Sequence, residues 1–196
     1  MNTVFETFAD LLDRRFGTAI PTTEDSVRYT FFAALLQVGV RPEEVVLEYP
    51  HPSIRSAEVD TWLPHYVSGA VGLEFKYHRD PPGGKNQPKT MKAGDVYADI
   101  RRLAMLRETT AATCYFVYVT TREMAVYFQN PRNDCHDMFN LTSTIEIKPE
   151  WFSSRPSTFT KAVGEPFGAR ITGVFSRDIG ADYFIRIVQV DGISDT

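Results

Sequence analysis

The chain is poor in cysteine, in excess basic charge and in long apolar runs, and each shortage excludes something. Only Cys114 and Cys135 occur in 196 residues. Two thiols cannot build a disulfide framework, so a reducing cytoplasm is the expected setting. No stretch approaches the roughly 18 consecutive apolar residues of a membrane helix, so no membrane partner is expected. The N-terminal MNTVFETFADLLDRRF carries early acids and a helical apolar period, unlike a secretory leader. A formal net charge of −4 gives no overall attraction for nucleic acid, which leaves only local basic patches to do so. Internal repeats, low-complexity runs and linkers are absent as well, so the length suits one domain over residues 1–196.

What is present reads as an alternation of helices and strands. Residues 3–16 have Val4, Phe8, Leu11, Leu12 and Phe16 on one helical stripe. A second helix is expected from about Pro21 to Val38, with Val27, Phe31, Ala34 and Leu35 buried and Glu24 on the same stripe. Three short strands follow: Val45–Tyr49, Ala57–Leu63 and the apolar run through Val71-Gly-Leu-Glu-Phe-Lys-Tyr-His78. Strand parity places Val59, Thr61 and Leu63 on one face and Glu58, Asp60 and Trp62 on the other. Residues 77–94 read as a basic loop, carrying Arg79, Lys85, Lys89 and Lys92 against Asp80. A helix over Asp95–Leu106 and a central strand at Cys114–Thr120 come next, then a helix near Arg122–Gln129. Strands near 142–148, 169–176 and 183–190 make the tail β-rich.

The chemistry gathers around Glu74 and Lys76. At i and i+2 they share one face of their strand, and burying a carboxylate beside an ammonium needs compensation. Asp60 lies in the preceding strand, close enough in the chain for the two carboxylates to converge on a hard cation, Mg²⁺ or Mn²⁺. Lys76 would then orient, or help deprotonate, a water attacking a phosphodiester. Asp99 and Arg102, one helical turn apart, can pair with each other or approach a phosphate. Other motifs fail on spacing. Pro81-Pro-Gly-Gly-Lys85 is not a phosphate-binding loop. Asp134-Cys-His-Asp137 lacks a second zinc-spaced pair, and the four histidines show no ligand spacing. A second Glu-x-Lys, Glu146-Ile-Lys148, has no acid-bearing strand before it and reads as charge on a solvated face.

On Glu24, Asp60, Glu74 and Lys76, and on the order helix, strands, helix, strand over roughly residues 20–120, the chain resembles the PD-(D/E)XK nuclease superfamily. The resemblance implies an α/β restriction-endonuclease-like core over about residues 20–130, a mixed central sheet flanked by helices, with residues 131–196 as a β-rich extension. It implies catalytic roles for Glu24, Asp60, Glu74 and Lys76. The metal would sit on Asp60, Glu74, Glu24 and the Phe75 main chain. Val59 stands where many members have proline. DNA, with RNA as the alternative, would be held by His78, Arg79, Lys85, Lys89 and Lys92. A homodimer would supply two sites for cutting both strands. The competing expectation is a non-catalytic nucleic-acid- or protein-binding module on the same fold.

Overall fold

In the computed structural model, residues 1–18, 20–79, 87–136, 139 and 144–192 are described. Two helices open the chain, α1 (Asn2–Phe16) and α2 (Glu24–Gln37). Strands β1 (Val46–Pro50), β2 (Glu58–Tyr66) and β3 (Gly69–His78) form an antiparallel meander. Helix α3 (Lys89–Thr110) crosses back to β4 (Thr113–Thr121), which lies parallel to β3, the kind of connection a parallel pair requires. After α4 (Arg122–Gln129) come β5 (Thr144–Ile147), α5 (Ser157–Val163), β6 (Ala169–Ile179) and β7 (Tyr183–Asp191). The strands make one seven-stranded mixed sheet in the order β1-β2-β3-β4-β7-β6-β5.

Helices cover both faces. Val4, Phe5, Phe8 and Leu12 of α1 and Val27, Phe31 and Leu35 of α2 pack on Leu73, Phe75, Val117, Val119, Ile185 and Ile187. On the other face Ala93, Val96, Tyr97, Ile100 and Leu103 of α3 meet Trp62, Phe116, Tyr118 and Val188, with α4 and α5 beside them. The apolar periods of the sequence are thus used as expected. Helix α2 starts three residues after Pro21, where the Thr23 hydroxyl accepts a hydrogen bond from the Ser26 N–H at 3.2 Å and relieves one orphan donor of the first turn.

Three sequence expectations change. The stretch 77–94 is not a loop throughout, because β3 runs to His78 and α3 begins at Lys89. Lys89 and Lys92 are therefore helical, and Lys85 lies outside the described residues. Second, Val59 joins the core cluster of Trp62 while Leu63 belongs to the opposite one, so regular alternation breaks in β2 near Asp60. Third, the β-rich tail is no appendage. β7 pairs with β4 over its whole length, which makes the tail part of the central sheet.

Helix α3 approaches α5 tightly at Gly94, where an added Cβ would lie 2.6 Å from the Phe159 carbonyl oxygen and 2.7 Å from the Ala162 Cβ. Backbone and methyl cannot swing aside, so α5 must move. Gly94→Ala should lower stability by about 1–3 kcal/mol despite alanine's better helix propensity. The check is the urea midpoint, and an unchanged or raised value would show that α3 and α5 separate freely.

Candidate functional site

The site begins where β2 leaves β3. Their ladder runs through Leu63↔Val71, Trp62↔Gly72 and Thr61↔Leu73, and the next opposed residues, Asp60 and Glu74, no longer pair. Beyond that fork two amide groups of β3 lack a strand partner, and side chains take its place. The Phe75 N–H donates to Asp60 Oδ2 at 2.8 Å, and the Tyr77 N–H donates to Glu24 Oε2 at 2.9 Å. A carboxylate from β2 and one from the first turn of α2 thus stand where a neighbouring strand would present carbonyls.

On the α3 side of the same strand, Glu74 and Lys76 meet helix residues one turn apart. Arg102 donates to Glu74 through Nε at 3.1 Å and Nη2 at 3.0 Å, and its Nη2 also reaches Asp99 Oδ1 at 2.6 Å. Lys76 Nζ lies 3.2 Å from Asp99 Oδ2 and 3.6 Å from Glu24 Oε1. Arg28 of α2 closes the other side, 3.5 Å from Asp60 Oδ1 and 3.5 Å from Glu48 Oε1. Glu24, Asp60, Glu74 and Lys76 are therefore brought into one connected network, together with Asp99 and Arg102.

Burial tunes the charges. Only 2% of the Glu74 side chain and 4% of Asp99 are exposed. Desolvation drives the Glu74 carboxyl up to about 8, with Arg102 opposing and the charges of Asp60 and Asp99 adding to the rise. Burial likewise lifts Asp99 to about 6, against the pull of Lys76. For Lys76 burial works downward, but the charges of Asp99 and Glu24 more than offset it and hold the ammonium above its ordinary range. Lys76 is therefore a cation here and not a free base.

The residues expected at a phosphate divide. Arg79 is exposed. Lys89 lies 3.0 Å from Glu123 Oε1 with 45% of its side chain exposed. Lys92 is buried and meets Glu123 at 3.7 Å. His78 is buried too, its Nδ1 3.1 Å from the Tyr118 hydroxyl, and burial lowers it to about 3, so it stays neutral and faces inward. The second Glu-x-Lys is an exposed pair, Lys148 Nζ 4.0 Å from Glu146.

Sequence reading missed Arg28, although it falls one turn after Glu24 on α2. Glu48, 3.5 Å from Arg28, has a φ of +54°, which is uncommon for a residue with a side chain and marks a constrained spot. His51 was unrecognisable from spacing. Its Nδ1 accepts from the Ser53 and Ile54 N–H groups at 3.2 and 3.1 Å. The hydrogen then resides on Nε2, which donates to the Arg102 carbonyl at 3.0 Å and fastens the loop after β1 to α3.

Among the described residues no group of three or more His, Cys, Asp or Glu side chains is arranged to hold a metal. None of their helices is long and apolar enough to cross a membrane. Comparison with protein families, with characterised proteins and with solved structures finds no match to this chain.

Two outcomes follow from the network. Above about pH 8, where Glu74 is ionised, Arg102→Ala strips two buried carboxylates of their shared counter-charge and should cost about 3–5 kcal/mol, read from denaturant unfolding. The Glu74 carboxyl is raised in the fold above its ordinary 4.5. Its stabilising share is therefore complete below about pH 4.5 and is lost as pH rises towards 8. In EDTA, the stability of wild type minus that of Glu74→Gln should fall by on the order of 2–4 kcal/mol between pH 5 and 8. A difference that is flat or rises with pH would show that Arg102, not burial, dominates at Glu74.

Proposed function

We propose that this chain is a divalent-cation-dependent nuclease that hydrolyses DNA phosphodiesters. The observation that carries this reading is the fork between β2 and β3, where Asp60 and Glu74 adjoin and Lys76 sits one step along Glu74's face. The succession α2, β1–β3, α3, β4, with β3 parallel to β4, supports a restriction-endonuclease-like core around that fork.

Asp60, Glu74 and the Phe75 carbonyl would hold Mg²⁺ or Mn²⁺. The donor set suits it, because Mg²⁺ is held by one or two carboxylates with waters and substrate phosphate completing the shell. The Phe75 carbonyl belongs to the same strand edge as its N–H, the one Asp60 occupies. Bound there, the cation would polarise the phosphate and acidify a water. The protein's own share is distinct. Lys76, kept cationic by Asp99 and Glu24, orients the attacking water and offsets charge developing on the phosphate. Glu24 holds Lys76 and Tyr77 in place. Glu74 must exchange its two-pronged contact with Arg102 for the cation, which frees the guanidinium for the phosphate. Arg79 and the exposed part of Lys89 are the cations best placed to follow a backbone.

One observation favours a second reading. Each acid of the network already has a hydrogen-bonded or charged partner within the chain, as a closed, structural network would. On that reading the chain is a non-catalytic binding module with the same architecture.

A plasmid-nicking assay separates the two. Mg²⁺ or Mn²⁺ should support cleavage, and Ca²⁺ should support binding with poor turnover because it coordinates more loosely. Lys76→Ala should lower cleavage about 10²–10³-fold with the metal still bound. Asp60→Asn should weaken Mg²⁺ binding as well, measured by calorimetry. Cleavage undiminished in EDTA, or full activity in Lys76→Ala, would remove the metal-nuclease reading.

A further inference from the structure

Tyr77 follows Lys76 and so faces the other way, toward α1 and α2. There it opens onto a concavity of about 230 Å³ lined by Phe16, Ile20, Tyr77, Arg79, Thr121 and Tyr183, among others. Phe16 and Tyr183 stack with centroids 3.9 Å apart and planes 8° from parallel, and Tyr77 lies 6.2 Å from Phe16. All three rings are only half-buried, unlike the fully buried aromatics beneath them. Arg79 is the one charged residue of the lining, is exposed, and makes no ion pair with another described residue. An aromatic lining with one exposed cation suits a ligand that is planar at one end and anionic at the other. The concavity also touches the hydrolytic network, since Glu24 binds both the Tyr77 N–H and Lys76.

We infer that this concavity receives an unpaired base of a DNA strand beside the scissile phosphate, the base against Tyr77 and Tyr183 and a neighbouring phosphate on Arg79. The inference rests on the nuclease reading and adds a strand preference to it. A base can enter only if it is out of the duplex, so single-stranded or frayed DNA should bind best. Base–aromatic stacking tolerates any base, so the subsite confers strand preference without sequence preference.

The test uses the full chain in EDTA, where no cleavage intervenes, with a short single-stranded oligonucleotide carrying 2-aminopurine. Binding should quench its fluorescence saturably, and the same sequence as a duplex should bind more weakly. Tyr183→Leu and Arg79→Ala should each weaken the oligonucleotide about fivefold to a hundredfold. Their thermal midpoints are measured alongside, and since Arg79 is exposed its variant should melt as wild type does. Wild-type affinity in both variants, equal affinity for duplex, or a free mononucleotide binding as tightly as the oligonucleotide would each overturn the subsite. Those results leave the nuclease reading standing if plasmid nicking persists. Quench that depends on Arg79 and Tyr183, without metal-dependent nicking, would support the base site and sink the nuclease.

Discussion

Two backbone amides at the edge of β3 set the terms for the rest of the molecule. The Phe75 and Tyr77 N–H groups lie beyond the point at which β2 stops pairing, and leaving each unsatisfied would cost about 1–3 kcal/mol. Asp60 and Glu24 satisfy them. Each carboxylate then needs a counter-charge, and Arg28 and Lys76 provide it. Lys76 in turn sits against Asp99, Asp99 against Arg102, and Arg102 against Glu74. A break in one ladder thus propagates into a chain of alternating charges that joins α2, β2, β3 and α3.

Such a network is a poor way to gain stability. A buried ion pair roughly breaks even against apolar packing of the same shape, and it becomes costly when one partner is lost. Glu74 and Asp99 are raised by burial because their charges are not fully repaid by Arg102 and Lys76. The constrained backbone at Glu48 lies in the same neighbourhood. On the proposed reading, clustered perturbed carboxylates, a captive ammonium and local strain belong to a reactive centre and not to a packing core.

The two faces of β3 divide the labour that the proposed chemistry needs. Glu74 and Lys76 look toward α3 and carry charge. Leu73 and Phe75 look toward α1 and α2 and carry the core, where Phe31 meets Phe75 edge-on at 5.1 Å. Where that second face reaches solvent, at Tyr77, aromatic surface remains open beside Arg79. Period-two geometry therefore places a charged network and an aromatic concavity back to back, and Glu24 touches both.

How far the amino-acid pattern reaches can be judged residue by residue. Apolar spacing alone marks α1, α2, three short strands, the helical run from Asp95 to Leu106 and the strand at Cys114–Thr120, because burial of one face is a local property of spacing. It also determines that Glu74 and Lys76 share a face. The sequence could not show that β7 inserts beside β4, since strand order depends on distant pairing. Nor could it show that the basic run at 77–94 is partly the end of a strand and the start of a helix, with Lys92 turned inward to Glu123. The partner of Glu74 is Arg102 and that of Asp60 is a backbone N–H together with Arg28, choices set by where β2 departs from β3. Which residues carry charge was written in the chain. Which of those charges meet, how deeply they are buried and what they therefore bind were decided by tertiary packing, because desolvation and ion pairing act through space and not along the sequence.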